Sequence, residues 1–238
     1  MCELKNMNMK YTIKDAGNGW SDRYKQTGVA WPSENVIRIF KGTYPRLNLR
    51  QHGYAGKKVI DVGCGDVGNL LFFETLGLEL YGIEIDQKIV NQVHELLQVR
   101  GVNADIRLGK NDRLPYGNEL FDYLLSWNAA YYMGAQRDFS KNVIEFARVL
   151  KPGAHLIMSV PKVSHEIFNE AKIIDNEFAM IQVDRLGIRV GEVFRRFRDT
   201  SDIEKTFSSH FKDFVFGSVE DDYFGVAGHW HLVVCEKK

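Results

Sequence analysis

The feature that most constrains this chain is a regular alternation of apolar segments and helical patterns that begins near residue 57. Five segments have the composition of short buried strands: KKVIDV, LELYGIEI, NADIRLG, LFDYLLSW and AHLIMSV. Several are separated by helical stretches such as QKIVNQVHELLQVRG, whose apolar residues recur at helical spacing. Strands spaced by helices form βαβ units, so the alternation predicts a doubly wound α/β fold with a parallel sheet.

The C-terminal part completes the predicted sheet. FKDFVFGSV and GVAGHWHLVVCEK have the pattern of two strands that form an antiparallel pair at a sheet edge. We therefore expect a mostly parallel seven-stranded sheet with an antiparallel edge strand. Residues 161–200 interrupt the alternation and are called the insertion below. The apolar residues of VSHEIFNEAKIIDNEFAMI fall on one helical face, which predicts an inserted helix after the fifth strand.

The region before the first strand differs from the alternating part. Residues 1–56 are rich in polar and aromatic side chains, and SENVIRIF predicts a helix there. The aromatic residues Trp20, Tyr24 and Trp31 either close over a ligand site or pack against the domain. We predict two parts: a helical N-terminal lid segment over 1–56 and one domain over 57–238 that carries the insertion.

Charge and composition limit the partners. Lys+Arg and Asp+Glu both number 31, so the formal net charge is zero. A protein that grips nucleic-acid phosphates usually has a basic excess. The three cysteines lack C-x-x-C spacing, which is typical of reduced thiols in a cytoplasmic protein. No apolar run has the length of a membrane helix. We expect a cytoplasmic monomer or homodimer without a nucleic-acid partner or a membrane span.

The glycine-rich stretch VIDVGCGDVGNLL is compatible with two cofactors, NAD and S-adenosylmethionine. Gly63, Gly65 and Gly68 satisfy G-x-G-x-x-G, the dinucleotide fingerprint. Asp61 ends the strand before them, and its carboxylate can pair with an ammonium group, which S-adenosylmethionine has and NAD lacks. Glu84 ends the second strand and can hold the ribose hydroxyls of either cofactor.

The turn LGKNDRLPYGNELFD follows the third predicted strand. Ligands of doubly wound sheets bind beyond the carboxyl ends of the strands. Backbone N–H groups of this turn, or the side chains of Asn111 and Asp112, can reach the edge of an adenine ring there. The turn is therefore a candidate for binding the adenine of an adenosine cofactor.

Four motifs follow one another over residues 57–160: VIDVGCG, YGIEID, LPYGNELFDYLLSWNAAYYM and RVLKPGAHLIMSVP. In these motifs the chain resembles the class I S-adenosylmethionine-dependent methyltransferases, in particular the small-molecule group that contains the ubiquinone and menaquinone methyltransferases. The resemblance implies a Rossmann-like methyltransferase fold, S-adenosylmethionine as the cofactor and methyl transfer to a small-molecule acceptor.

The resemblance also implies where the cofactor binds. Its methionine end would lie by the glycines after the first strand, its ribose by the acid that ends the second strand, and its adenine by the turn after the third. The residues after the fourth strand would border the sulfonium and the substrate entrance. The predicted cofactor contacts are Asp61, Gly63, Cys64, Gly65, Glu84, Ile85, Asn111, Asp112, Trp127 and Asn128.

Two positions depart from the family pattern. Val67 stands where the family usually has a third glycine, and Gly68 follows one place later, which creates the dinucleotide pattern by coincidence. Lys110 stands where the family often has an acid after the glycine of the third-strand turn. Asn111 or Asp112 would substitute for that acid in binding adenine.

Methyl transfer from a sulfonium is an in-line displacement in which the protein aligns the reacting atoms and excludes water. A base is needed only if the acceptor loses a proton early. The candidates are Tyr131, Tyr132 and His165, although the tyrosines alternatively form an aromatic wall and His165 alternatively caps the inserted helix. His229 and His231 share a strand face without an evident carboxylate or cysteine partner, so we predict no metal site.

The sequence narrows the chemical class of the methyl acceptor but does not identify it. SWNAAYY stands where methyltransferases of exocyclic amines carry an Asn/Asp-Pro-Pro-aromatic element. RVGEVFRRFRD provides an arginine cluster in which Arg195 and Arg196 are the candidate substrate-binding residues, since a guanidinium holds phosphate or carboxylate bidentately. The same alternation of Phe and Arg is typical of a half-exposed strand. We expect a small-molecule acceptor and leave open whether it is anionic.

Two other functions can use the same residues. One is an NAD(P)-dependent oxidoreductase, against which Asp61 and the turn after the third strand argue. The other is a non-catalytic binding module that retained the fold, against which the presence of both Asp61 and Glu84 argues.

Overall fold

The computed structural model describes residues 16–27, 30–133 and 138–238 of the chain. The helices are α1 (Ala16–Thr27), α2 (Glu34–Lys41), α3 (Gly68–Thr75), α4 (Gln87–Val99), α5 (Ser140–Val149) and α6 (Thr200–Phe207). The strands are β1 (Lys58–Val62), β2 (Glu79–Glu84), β3 (Ala104–Leu108), β4 (Phe121–Ser126), β5 (Tyr132–Met133), β6 (Leu150–Pro161), β7 (Lys172–Ile173), β8 (Phe178–Met180), β9 (Val193–Arg195), β10 (Phe211–Asp222) and β11 (Ala227–Lys237).

The central sheet contains seven strands in the order β10-β11-β6-β4-β1-β2-β3. The pairs β1–β2, β1–β4, β2–β3 and β4–β6 are parallel, whereas β11 is antiparallel to both β6 and β10. The predicted mostly parallel sheet with an antiparallel pair at its edge is confirmed. The order reverses between β1 and β4, and the carboxyl ends at such a switch point form the crevice in which doubly wound sheets bind ligands.

Helices cover both faces of the sheet, as the alternating pattern predicts. On one face, α2 joins α3 and α4 in a shared apolar cluster, where the Phe40 ring centroid lies 4.9 Å from that of Phe73 and 5.6 Å from that of Tyr123. α1 instead lies against α4, where Gln92 Nε2 donates to the carbonyl oxygen of Ser21 at 3.3 Å. The predicted lid segment therefore contains one helix of the core, α2, and one peripheral helix, α1.

The insertion is a small sheet, so the prediction of an inserted helix is wrong. Its strands β7, β8 and β9 join β5, which lies earlier in the chain, in an antiparallel four-stranded sheet of order β5-β9-β8-β7. A 3₁₀ turn at Glu166–Phe168 precedes β7. The cause is local: the Asp175 carboxylate accepts the backbone N–H groups of Glu177 at 2.8 Å and Phe178 at 2.9 Å. Such side-chain bonds offer the backbone a turn instead of a helix. Several apolar residues of the insertion are still buried on short strands and turns, namely Ile167, Phe168, Phe178 and Ile181. Val163, Ile173 and Val183 are exposed.

The described helices include none that is both long enough and apolar enough to cross a membrane.

Candidate active site

The loop that follows β1 lies at the switch point and is held by β2. We call residues 61–68 the glycine loop. The backbone N–H groups of Gly63 and Cys64 both donate to the Ile83 carbonyl oxygen, at 3.0 and 3.3 Å. Glu84 Oε1 accepts the N–H of Gly65 at 2.7 Å, and its Oε2 accepts the N–H of Ile85 at 3.2 Å. Glu84 therefore fixes the loop with its own carboxylate, and each oxygen retains a lone pair for a further donor.

Asp61 is the most unusual group of the site. The side chain is buried, and among the described residues neither carboxylate oxygen has a hydrogen-bond partner. Burial raises the pKa of Asp61 to about 8, with the charges of Glu84 and Asp66 adding to the shift and the nearby Asn69 side chain opposing it. A buried carboxylate without a partner is costly, and a cationic group placed beside it would remove that cost.

Glu84 shares this environment but has partners. Burial raises its pKa to about 7, while the N–H groups of Gly65 and Ile85 oppose the shift by stabilising the charged form. Cys64 lies buried in the same loop, and burial followed by the charges of Glu84 and Asp61 raises the pKa of its thiol. The site is thus acidic, dry and suited to a ligand that brings hydroxyl and ammonium donors.

Two neighbouring positions explain the unusual glycine spacing. Val67 is buried with φ 65° and ψ 2°, the left-handed conformation in which the family usually places a glycine. A Cβ at Gly68 would collide with the Trp31 carbonyl oxygen. Gly68 is therefore required by the segment that passes over it, and the match to the dinucleotide fingerprint has this separate physical cause.

α1 reaches the glycine loop from outside the sheet. A Cβ at Gly65, whose φ is 54°, would lie 2.9 Å from the Tyr24 hydroxyl oxygen. The Tyr24 ring stacks on Trp20 with a centroid distance of 5.8 Å. At the other side of α1, a Cβ at Gly19 would contact Ile188 of the insertion at 3.3 Å. α1 thus spans from the glycine loop to the insertion, which the sequence pattern left open.

The residues predicted to lie near the adenine differ in exposure and in hydrogen bonding. Ile85 follows Glu84 with half of its side chain exposed, which leaves an apolar surface at the carboxyl end of β2. Asn111 Nδ2 donates to the carbonyl oxygens of Ala129 at 2.8 Å and Tyr132 at 3.4 Å, so this side chain braces the segment after β4. Asp112 is exposed at the tip of the turn.

Trp127 and Asn128 follow β4 at the same edge. Trp127 is half-buried and packs against the core cluster that includes the glycine loop. Asn128 has φ 56°; its N–H donates to Ser159 Oγ at 2.9 Å, and that hydroxyl donates to Asn128 Oδ1 at 2.8 Å. This reciprocal pair joins the ends of β4 and β6 beside the glycine loop.

The candidate bases have pKa shifts that oppose a base role. The rings of Tyr131 and Tyr132 stack at 5.1 Å and both contact Phe194, at 4.8 and 4.5 Å. Burial raises the pKa of both phenols, and the guanidinium of Arg189 opposes the shift only in part. The arrangement is that of an aromatic wall.

His165 is likewise unsuited to accept a proton. Its Nδ1 accepts the N–H of Ile167 at 3.0 Å, and burial, followed by the charges of Arg189 and His229, lowers its pKa to about 4. A neutral imidazole whose Nδ1 accepts a hydrogen bond carries its proton on Nε2. His165 therefore begins the 3₁₀ turn of the insertion and presents a donor.

The two arginine candidates differ, because Arg195 is engaged inside the protein whereas Arg196 Nε is buried without a hydrogen-bond partner among the described residues. Arg195 is buried; its Nη2 donates to Asp202 Oδ1 at 3.0 Å, and its Nη1 donates to the Arg196 carbonyl oxygen at 2.8 Å. The Arg196 backbone N–H donates to the Glu177 carbonyl oxygen at 2.7 Å. The assignment of Arg195 to the substrate is wrong, because Asp202 holds its guanidinium within the core, and the alternation of Phe and Arg belongs to a strand.

Arg189 is another member of the arginine cluster, and its side chain contacts α1. Its guanidinium lies 5.6 Å from the Trp20 ring centroid, and its Nη1 lies 3.6 Å from Asp184 Oδ1. The sequence signal for it was membership in the arginine cluster, which did not distinguish it from its neighbours. Within the described ranges, no group of three or more His, Cys, Asp or Glu side chains could hold a metal ion.

Comparisons with known proteins agree with this geometry. A family model described as "Methyltransferase domain" matches residues 60–158, within the span over which the motifs occur. A Mycobacterium ulcerans phthiotriol/phenolphthiotriol dimycocerosates methyltransferase is 28% identical over 141 residues, 57% of this chain and 47% of that protein. A Triticum aestivum phosphoethanolamine N-methyltransferase is 24% identical over 147 residues, 58% of this chain and 28% of that protein. The chain spans about half the length of the first curated relatives it matches, or less.

Solved structures share the fold. An S-adenosylmethionine-dependent methyltransferase from Methanosarcina mazei superposes with a TM-score of 0.64 at 16% identity, covering 82% of this chain and 98% of that one. The Burkholderia thailandensis 1,6-didemethyltoxoflavin-N1-methyltransferase, solved with its substrate and S-adenosylhomocysteine, gives 0.61 at 15% identity, covering 98% of this chain and 93% of that one. These likenesses show that the chain shares the fold of these proteins over most of its length.

Proposed function

Since the chain belongs to the class I S-adenosylmethionine-dependent methyltransferase family, we propose that it transfers the methyl group of S-adenosylmethionine to a small-molecule acceptor by in-line displacement. The observation that carries the proposal is the buried Asp61 carboxylate without a hydrogen-bond partner among the described residues. NAD has no ammonium group to offer this carboxylate, whereas the methionine part of S-adenosylmethionine has one.

The residues present fit that cofactor. Asp61 would take the ammonium group, and Glu84, whose oxygens already accept two backbone N–H groups, would accept the ribose hydroxyls on its remaining lone pairs. Ile85 offers an exposed apolar side chain to one face of the adenine. Asn111 supports the adenine side indirectly, because its amide braces the segment after β4. When bound, the cofactor supplies an activated methyl group on sulfur.

The chain's own contribution is orientation and exclusion of water. Tyr131, Tyr132 and Phe194 form a buried aromatic wall beside the end of β4. The high phenol pKa values and the low pKa of His165 leave these three candidates without the properties of a general base. We propose an acceptor whose nucleophilic lone pair is available without proton removal by the protein.

We further propose that α1 is the lid of this site. Tyr24 lies against Gly65, and Trp20 stacks on Tyr24, so α1 covers the glycine loop. α2 packs into the core and does not share that role. In this proposal α1 covers the site, and the remaining described residues form the methyltransferase domain with its insertion.

Calorimetric titration of the full chain with S-adenosylhomocysteine and with NAD tests the proposal. We expect S-adenosylhomocysteine to bind and NAD to give no heat of binding under the same conditions. Asp61→Asn should weaken S-adenosylhomocysteine binding, while Asp213→Asn, at an exposed acid outside the site, should leave it unchanged. Binding of NAD without any response to S-adenosylhomocysteine would contradict the proposal and favour the oxidoreductase.

A further inference from the structure

The turn between β8 and β9 is held in one conformation by a buried carboxylate. The buried Asp184 carboxylate accepts three backbone N–H groups, from Leu186 at 3.3 Å, Ile188 at 2.9 Å and Arg189 at 2.9 Å. The turn is closed at its base, where the N–H of Gly191 donates to the Ile181 carbonyl oxygen at 2.8 Å. Asp184 therefore fixes the backbone from which the Arg189 side chain extends.

The Arg189 guanidinium contacts the proposed lid and acts electrostatically on the candidate bases. It lies 5.6 Å from the ring centroid of Trp20 in α1. Its positive charge opposes the burial shift of the Tyr131 and Tyr132 pKa values and adds to the lowering of the His165 pKa. Arg189 therefore lies against α1, and its charge acts on the aromatic wall and on the start of the insertion.

The Arg189 guanidinium has a hydrogen-bond donor for which the described residues provide no acceptor. Its Nε is buried without a hydrogen-bond partner among the described residues. Its ion pair with Asp184 is long, at 3.6 Å, because that carboxylate is already occupied by three backbone N–H groups. A buried N–H donor without an acceptor is unfavourable, and a planar guanidinium with free donors matches the geometry of a carboxylate or phosphate.

We propose that Arg189 binds an anionic group, carboxylate or phosphate, of the methyl acceptor, and that Asp184 is its positioning residue. This inference rests on the proposed function, since it assigns the substrate class of the same site. It replaces Arg195, whose guanidinium is held by Asp202. Trp20 covers the guanidinium, so a bound anion would lie beneath the lid and near the cofactor.

The binding test uses the full chain after its saturation with S-adenosylhomocysteine, which calorimetry measures first. Inorganic phosphate and sodium acetate are then titrated while the Nε–H resonance of Arg189 is followed by NMR, with choline chloride as the cationic comparison. The inference predicts that phosphate or acetate shifts this resonance and that choline does not. A response to phosphate alone indicates a phosphate-bearing acceptor, and a response to acetate alone indicates a carboxylate.

The matched variants are Arg189→Lys and Arg185→Lys, the second being an exposed arginine of the same turn. Lysine keeps the charge but lacks the planar fork, so Arg189→Lys should weaken anion binding about 10-fold or more, by the loss of a charge-assisted hydrogen bond. Because this variant has no Arg189 resonance, calorimetric titration of phosphate and acetate into the S-adenosylhomocysteine complexes measures the anion affinity of both variants and of the wild type. Arg185→Lys should bind as the wild type does. Unchanged S-adenosylhomocysteine affinity in both variants controls for folding.

The outcomes separate the two proposals. Binding of S-adenosylhomocysteine with no response to either anion overturns the role of Arg189 and leaves the proposed function standing. Equal anion affinities in the two lysine variants overturn it as well. Failure of S-adenosylhomocysteine to bind the wild-type chain overturns both proposals.

A turnover test then names the acceptor class. Metabolites are separated by anion exchange, and each fraction is incubated with the enzyme and methyl-labelled S-adenosylmethionine. Label should appear in products from the retained, anionic fraction, and Arg189→Lys should raise KM for that acceptor by about 10-fold or more while changing kcat little. Label confined to the unretained fraction would overturn the inference.

Discussion

The glycine loop and the insertion lie on the same site but are specified in different ways. The glycine loop takes its conformation from residues close in sequence and from a neighbouring parallel strand, with Glu84 accepting the N–H of Gly65. The insertion takes its conformation from single polar side chains, Asp175 and Asp184, that turn the backbone, and from an internal ion pair. We propose the first region as the cofactor site and the second region as the acceptor site.

The largest effect is expected from a substitution in the insertion, and it concerns the free energy of unfolding. Arg195→Met leaves the Asp202 carboxylate buried without its main partner, which should lower the free energy of unfolding by about 3–5 kcal/mol. Arg198→Met removes an exposed guanidinium from the same carboxylate and should cost less than about 1 kcal/mol. Urea unfolding measures both. Equal costs for the two variants would contradict the structural assignment of Arg195.

The second-largest effect is expected from a substitution in the glycine-loop region, and it concerns the affinity for the cofactor. Glu84→Ala removes the acceptor of the Gly65 N–H and of the proposed ribose hydroxyls, so S-adenosylhomocysteine should bind more weakly by about 1.5–3 kcal/mol for each charged hydrogen bond lost. Calorimetry measures the affinity. Glu79→Ala, at the exposed opposite end of β2, serves as the control and should bind normally. An unchanged affinity for Glu84→Ala would show that the loop does not hold the cofactor.

The pH dependence of stability sharpens the contrast, because the buried carboxyls of Asp61 and Glu84 both have raised pKa values and Asp61→Asn removes only the first. Burial keeps this carboxyl protonated in the ligand-free fold up to about pH 8, whereas an unfolded aspartate loses its proton near pH 4. The folded chain therefore binds more protons in this window, and the free energy of unfolding should fall as the pH rises through it. Asp61→Asn should make the fall smaller, and Asp112→Asn should not. An unaltered slope in Asp61→Asn would rule out the raised pKa.

The smallest effect is expected at Val67. Glycine in its place relieves a left-handed strain of about 1–2 kcal/mol but gives up the burial of a valine side chain, about 1.5–3 kcal/mol. Val67→Gly should therefore change the free energy of unfolding by only about 1 kcal/mol, as measured in urea. A loss of the full burial energy would show that the valine is not strained.

The same contrast decides how much the sequence could predict. The place of Asp61 and Glu84 in the site is predictable from the sequence. Each residue ends a strand of an alternating pattern, and parallel strands bring such residues to one edge of the sheet. The inserted helix was mispredicted because apolar spacing does not show that Asp175 accepts the N–H groups of its own turn. Arg189 could not be separated from Arg195, since only the packed structure shows which guanidinium has a buried acidic partner.

α1 illustrates a third case. Trp20 and Tyr24 are readable as aromatic residues of a candidate lid, but their contact with Gly65 depends on packing between distant parts of the chain. Gly68 is similar, because only the passage of the Trp31 backbone over it reveals why no side chain fits. Long-range contacts of this kind leave no periodic signal in a single sequence.

The most direct test of the central claim is a structure of the full chain with S-adenosylhomocysteine bound. The account predicts the amino group of the ligand within about 2.7–3.2 Å of the Asp61 carboxylate, and the ribose hydroxyls at the same range from Glu84. A complex in which the ligand amino group lies away from Asp61, leaving that carboxylate without a partner, would contradict it.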